Sequence, residues 1–408
     1  MSKKNSIILI LFIFLLIFGG LLFFYFYNGN TQTKNIPAEG NTPSNPFGSN
    51  TTNRTSTTTQ PNQNYNYNNS NKNQNALRQL YAYPISGSVI FEKNDNTNIR
   101  FVDRATGNIH EILPSSEETK RITNTTIPKI LEAVWGSTGD ALILRYSVND
   151  DDKIDNFSAK IKSSSNTDTG EVVGKVVYQN ADQIITNPSG TKSFGLTKIK
   201  NMGGSYGVIS SIDGSSNKQV FSSEISDWLI SWPKDNTISF VTKPSYQQEG
   251  FLFFLNTDNS SFQKVFGGAL GMTVLVNKDT TKVLYSDSSR KSLRLNYYDV
   301  KTNTEKNLQI ATISDKCVWS NKDKETIYCA VPKYIPGSSY PDAWYQGIVS
   351  LSDNFWKINV EQGTTELIYE TGVNENINVD AMDLKISNDD TYLVFTDKNN
   401  LSLWGLKI

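Results

Sequence analysis

One phrase constrains the fold more than any other: Ser231-Trp232-Pro233-Lys234-Asp235-Asn236-Thr237-Ile238-Ser239-Phe240-Val241-Thr242. It reads as a strand end, a polar turn, then an alternating strand. Variants recur along the chain: Val134-Trp135-Gly136-Ser137-Thr138-Gly139-Asp140 before Leu142-Ile143-Leu144, and Asn187-Pro188-Ser189-Gly190 before Ser193-Phe194-Gly195-Leu196. Further copies are Val276-Asn277-Lys278-Asp279, Val318-Trp319-Ser320-Asn321-Lys322-Asp323 and Ile386-Ser387-Asn388-Asp389-Asp390, each leading into an apolar strand. A repeat of about 45 residues built of period-two strands is the pattern of a β-propeller, whose four-stranded blades ring a central channel.

Written as blades with strands a to d, the fourth unit falls at 227–232, 237–242, 250–256 and 261–266. The first begins at 87–92, the second at 130–135, the third at 183–186, the fifth at 272–276 and the sixth at 315–319. The seventh has only three strands, near 382–386, 392–396 and 401–406, before the chain stops at Ile408. Meanwhile Leu77-Arg78-Gln79-Leu80-Tyr81 stands ahead of the first blade as an outer strand without a blade. Pairing the two closes the ring and removes exposed sheet edges. The expected fold class is therefore all-β, a seven-bladed β-propeller, with six or eight blades as alternatives.

Ahead of the propeller, residues 6–27 form an apolar run without a charge. About 22 residues at 1.5 Å rise span a bilayer core of about 30 Å. Lys3 and Lys4 precede the run, so the positive-inside rule puts residues 1–5 in the cytoplasm and the propeller outside. The run exceeds a usual signal-peptide core and no small-x-small cleavage pattern follows, so a retained anchor is expected. Residues 28–75 are Asn, Thr, Ser, Gln, Pro and Gly with no apolar face, the composition of a disordered tether. The domains expected are thus 1–5, 6–27, 28–75 and a propeller over 76–408, and the first partner is the lipid bilayer through 6–27.

A formal net charge of -1 gives no basic field, so nucleic acid is not an expected partner. The single histidine, His110, thins the enzyme options, because histidine is the commonest general base and metal ligand. It falls mid-strand and is read as structural.

The W-x-x-D/G turn, the apolar-x-aromatic strand after it, and strands ending Phe254-Leu255-Asn256-Thr257 or Tyr298-Asp299-Val300-Lys301-Thr302 resemble the WD40-like (PD40, TolB-type) β-propeller repeat. The resemblance covers residue 77 to the end. It implies the fold and says little of function, since this fold hosts binding platforms and enzymes alike. The layout of anchor, tether and propeller also resembles membrane-anchored propeller proteins of small-genome bacteria, which implies an envelope location.

Candidate chemistry is sparse. Trp135, Trp232 and Trp319 recur at one repeat position and are expected to pack strand a against the next blade. Asp150, Asp151 and Asp152 with Asp155 are the weak metal candidate, lacking the turn glycine and closing glutamate of a calcium loop. No cofactor is expected. Gly203-Gly204-Ser205-Tyr206-Gly207 lacks the ending of a phosphate loop and reads as a turn.

The longest irregularity is an insertion between strands b and c of the sixth blade, 333–354. Loops beyond about 12–15 residues are usually functional or disordered. This one is rich in aromatics, so Tyr334, Tyr340, Trp344 and Tyr345, with the nearby Trp356, are the binding candidates. The competing reading folds the loop back on its own blade. The expectation is a non-enzymatic, surface-tethered module that binds an envelope protein or glycan. The alternatives are a hydrolase or lyase acting on an extracellular polymer with acids at the channel mouth, and a structural envelope component. Carboxylates converging on a deep pocket favour the enzyme; a broad aromatic patch near Trp344 favours the binding module.

Last, if the turn after strand a of the sixth blade centres on Asp323, Cys317 and Cys329 face each other across the hairpin with equal parity. A disulfide between them is expected, in a compartment that permits oxidation.

Overall fold

The computed structural model describes residues 76–147, 153–162, 169–201, 203–289, 292–337, 339–372 and 377–408. The expected anchor 6–27, tether 28–75 and acidic residues Asp150, Asp151 and Asp152 lie outside them. Among the described residues no helix is long and apolar enough to cross a membrane.

The described residues form seven four-stranded antiparallel sheets, each with its strands in chain order except the last. There the order is Leu77–Tyr81, Leu403–Lys407, Tyr392–Asp397, Ala381–Ile386, so the first strand is the outermost strand of the seventh blade. Leu77 pairs with Leu406 and Arg78 with Gly405. The ring closes by joining the two ends of the propeller sequence.

The core has no single centre. One apolar cluster fills each seam between neighbouring blades. Leu80, Ile85, Phe101, Val394 and Leu403 fill the closure seam, and Val89, Ile109, Ile130, Leu142 and Leu144 the next. Inner strands such as Thr237–Thr242 and Tyr392–Asp397 are buried along nearly their whole length, because both faces meet a neighbouring blade. This is why their sequences read as near-continuous apolar runs. Outer strands such as Thr364–Tyr369 stay largely open.

The recurrent tryptophans sit in the seams, with a correction to their direction. Trp135 Nε1 donates to Gly87 O at 3.3 Å and Trp319 Nε1 to Leu275 O at 3.3 Å, each on strand a of the preceding blade rather than the next. Trp232 instead closes its own turn through Asp235 O at 3.2 Å. The approach at Trp135 needs a glycine: Gly87 has φ +143, and a Cβ there would stand 2.4 Å from Ala133 O. The turn acids reach back as well. Asp140 receives Arg100 of the first blade at 2.7 Å, and Asp235 receives Asn187 of the third at 2.7 Å.

Cys317 and Cys329 are directly paired across the sixth-blade hairpin and bonded, with S–S 2.09 Å.

Candidate functional site: the channel mouth

Strand a of each blade faces the axis, so the connections entering strand a surround one mouth of the channel. On one side of that mouth lies a cavity of about 430 Å³. Its walls include Ser231, Ser239, Thr273, Asp315, Tyr345 and Asp383, from the fourth to seventh blades and the insertion. No lysine or arginine lines it.

Asp315 and Lys316 belong to a 3₁₀ turn, Ser314–Lys316, that leads into strand a of the sixth blade, Cys317–Trp319. The two neighbours diverge. Lys316 is fully buried, and Asp315 keeps part of its surface on the channel. Tyr345 donates to Asp315 Oδ1 at 2.9 Å. Tyr345 itself is 38% exposed and lines the cavity. Thinned solvent pushes the Asp315 carboxyl above the usual carboxylate range, against the lowering effect of bonds from Tyr345 and Thr273. Burial first, then the charge of Asp315, pushes the Tyr345 phenol well up. Asp383, exposed on a β-bulge with φ 54, is the second carboxylate of the cavity and is ion-paired with Lys385.

Behind this wall lies an ionic knot without solvent. Lys316 Nζ reaches Asp353 Oδ2 at 2.8 Å, Asp380 Oδ1 at 2.6 Å and Ala381 O at 2.8 Å. All three charged side chains are 0% exposed. Asp380 also accepts Trp344 Nε1 at 2.9 Å and Leu351 N at 2.9 Å, which pins the insertion to the seventh blade. Asp353 Oδ2 accepts Ala381 N at 2.7 Å, while its Oδ1 has no partner. Desolvation outweighs the nearby lysine, and the Asp353 carboxyl is pushed up to about 6.

The insertion folds back over the mouth rather than projecting from it. A one-turn helix, Asp342–Tyr345, seats Tyr340 and Trp344 among Leu293, Ile313 and Leu351. Gly271 permits the contact: with φ +61, its missing Cβ leaves room for Tyr340 O, which Ser288 Oγ also bonds. Two of the aromatic binding candidates are therefore core residues, Tyr340 at 1% and Trp344 at 4% exposure. Tyr345 faces the channel, Tyr334 stands 75% exposed, and Trp356 lies apart, half-buried on strand c of the sixth blade. Among the described residues no broad aromatic patch forms around Trp344. Asp155 lies on Ile154–Lys162, 3.6 Å from Lys153. Among the described residues no group of three or more His, Cys, Asp or Glu is placed to hold a metal.

Asp315, Lys316, Asp353, Asp380 and Asp383 were not singled out by sequence. The available signal was a Lys316 that the repeat places at a buried strand entrance.

No family model matches the chain, and no curated protein matches it in sequence. Solved structures do match by fold. An oligogalacturonate lyase from Vibrio parahaemolyticus superposes with TM-score 0.54 at 9% identity, covering 81% of this chain and 91% of that one. The tricorn protease gives TM-score 0.50 at 9% identity over 83% of this chain and only 34% of its own. TolB from Acinetobacter baumannii gives 0.42 at 10% identity, covering 68% of this chain and 77% of that one, too loose a superposition to argue from. These comparisons overturn the expectation that the chain is not an enzyme. That expectation rested on the sparse candidate chemistry and the single histidine. The lyase matches over nearly its whole length, so an enzyme of this fold needs no second domain, and carboxyl groups can do acid–base work without histidine. At these identities the likeness is one of fold alone, and the fold is a seven-bladed β-propeller.

Proposed function

We propose that the chain is a membrane-tethered enzyme that cleaves an extracellular or envelope polymer, by hydrolysis or elimination, at the acid-lined channel mouth. One observation carries the reading: Asp315, its carboxyl pushed upward, sits on the wall of an open cavity with Tyr345 donating to its Oδ1 at 2.9 Å. A carboxyl shifted upward is the kind of group that can act as a general acid toward a leaving oxygen. Tyr345 fixes the orientation of that carboxyl. Asp383 supplies the complementary base, taking a proton from water in hydrolysis or from carbon in elimination. The uncharged run 6–27 supports the tether, and 28–75 would let the domain range roughly 40 Å from the membrane.

The test uses the full chain against a panel of extracellular polysaccharides. New reducing ends report cleavage, and ultraviolet absorbance of a new C=C bond separates elimination from hydrolysis. Asp315→Asn should lower the rate by about 10²–10⁴, the span of general acid catalysis. Asp315→Asn cleaving at the wild-type rate, or no member of the panel being cleaved, ends the proposal. Protease added to intact cells should release the propeller; protection would refute the outward orientation.

A further inference from the structure

A second concavity lies on the first blade beside the closure strand. It measures about 530 Å³ and is lined by Tyr81, Tyr83, Asp103, Arg104, His110 and Arg121, with Asn108 at its floor. It opens on the same face of the ring as the channel mouth. Both are built from turns between strands b and c and from connections entering strand a: 104–108 and 82–84 here, 333–352 and 311–316 there.

The groove is cationic with an aromatic wall. His110 stacks on Phe101 at 5.4 Å and lies 5.7 Å from Tyr81. Its cross-strand partner is Arg121, an exposed residue whose guanidinium makes no hydrogen bond or ion pair among the described residues. Arg104 spends one nitrogen on Leu131 O at 3.2 Å. The groove's own acid is already engaged. Asp103 is buried and accepts Tyr81 Oη at 2.8 Å, Thr106 N at 2.8 Å and Thr106 Oγ1 at 2.6 Å. Tyr83 is 67% exposed and meets Tyr81 edge-on at 5.6 Å, which leaves a ring face open to the groove. Asn108 is 8% exposed, and its Oδ1 has no partner.

A guanidinium fork matches a carboxylate in two parallel bonds, and a tyrosine face accepts the C–H face of a sugar ring. We propose that this groove binds a carboxylate-bearing sugar unit, held by Arg121 and Arg104 and stacked on Tyr83. The site is separate from the channel mouth and does not depend on the chemistry assigned there. No lysine or arginine lines the mouth cavity, whereas two arginines line the groove. A polymer crossing this face would be gripped by its acidic units on the first blade.

The probe is methyl β-D-glucuronide, read by saturation-transfer NMR of its own protons with the full chain in detergent. Methyl β-D-glucoside and acetate serve as the chargeless and ringless halves. Arg121→Ala should weaken glucuronide binding at least about tenfold, the scale of one charge-assisted bond, and Tyr83→Ala by about two- to tenfold, the scale of one stacked ring; both positions are exposed. Asp315→Asn should leave it unchanged. Three results overturn the proposal: glucoside or acetate binding as tightly as glucuronide, both groove variants binding at wild-type strength while melting normally, or Asp315→Asn abolishing the signal.

Discussion

Lys316→Met tests whether the buried knot holds the channel mouth together. The Nζ group makes three contacts within 2.8 Å, two of them to fully buried carboxylates. Methionine fills similar volume but leaves Asp353 and Asp380 facing each other without a cation. Removing one partner from a buried ion pair costs about 3–5 kcal/mol. At about 2 °C per kcal/mol, the lower end of the range and apt for a large domain, Tm should fall by about 6–10 °C. The sign with pH is fixed by the same groups. In the wild type the folded Asp353 keeps its proton up to about 6, whereas the unfolded carboxyl releases it near its ordinary value. The folded state therefore binds more protons between those two values. Stability from this group is greatest below them and falls as pH rises through about 6, by about 3 kcal/mol in total. In the variant, without the nearby lysine, Asp353 holds its proton more tightly still. The deficit should be small near about pH 5 and full near about pH 8. Thermal melts of both proteins by circular dichroism at the two pH values are sufficient. A Tm loss under about 2 °C, or an equal loss at both pH values, would refute the account of the knot as an uncompensated charge problem.

Other outcomes follow from the ring. Deleting 76–82 should unfold the whole propeller in one transition, seen as loss of the β-sheet signal, while deleting 30–71 should leave Tm unchanged; equal tolerance of both deletions would disprove end-to-end closure. Removing the disulfide by Cys317→Ala with Cys329→Ala should cost about 3 kcal/mol by the loop-closure relation, and mass spectrometry of unreduced, alkylated protein should find neither cysteine modified. Gly87→Ala should destabilise by more than about 1 kcal/mol, because the new Cβ meets a backbone oxygen at a φ that alanine avoids; a chemical-denaturation midpoint equal to wild type would contradict this.

The blade rhythm was readable because each turn phrase announces the strand after it. Closure was readable from a seventh unit one strand short and a first strand without a blade. Equal parity across one hairpin was enough to bring Cys317 and Cys329 together. The site was not readable, and the reasons are physical. Tyr340 and Trp344 look like contact residues in a polar loop, and only the seat offered by Leu293 and Ile313 turns them inward. Lys316, Asp353 and Asp380 come from separate strand entrances, and no periodicity links them; three-dimensional packing alone creates the knot. The direction of Trp135 and Trp319 was missed because a strand pattern gives the face of a side chain and not which neighbouring blade lies there.

The first of the described strands is the last to be used. Among the described strands Leu77–Tyr81 leaves the ribosome first, and its partner, Leu403–Lys407, leaves last. Closing so long a loop costs about 5 kcal/mol in chain entropy. Until it closes, the seam of Leu80, Ile85, Phe101 and Leu403 stays open to water on both flanks. A chain halted a few residues short of Leu403 would thus present two greasy edges at once, each shaped to fit the other. The natural remedy for such a species is a second identical chain, which makes truncation a route to swapped dimers rather than to a smaller propeller.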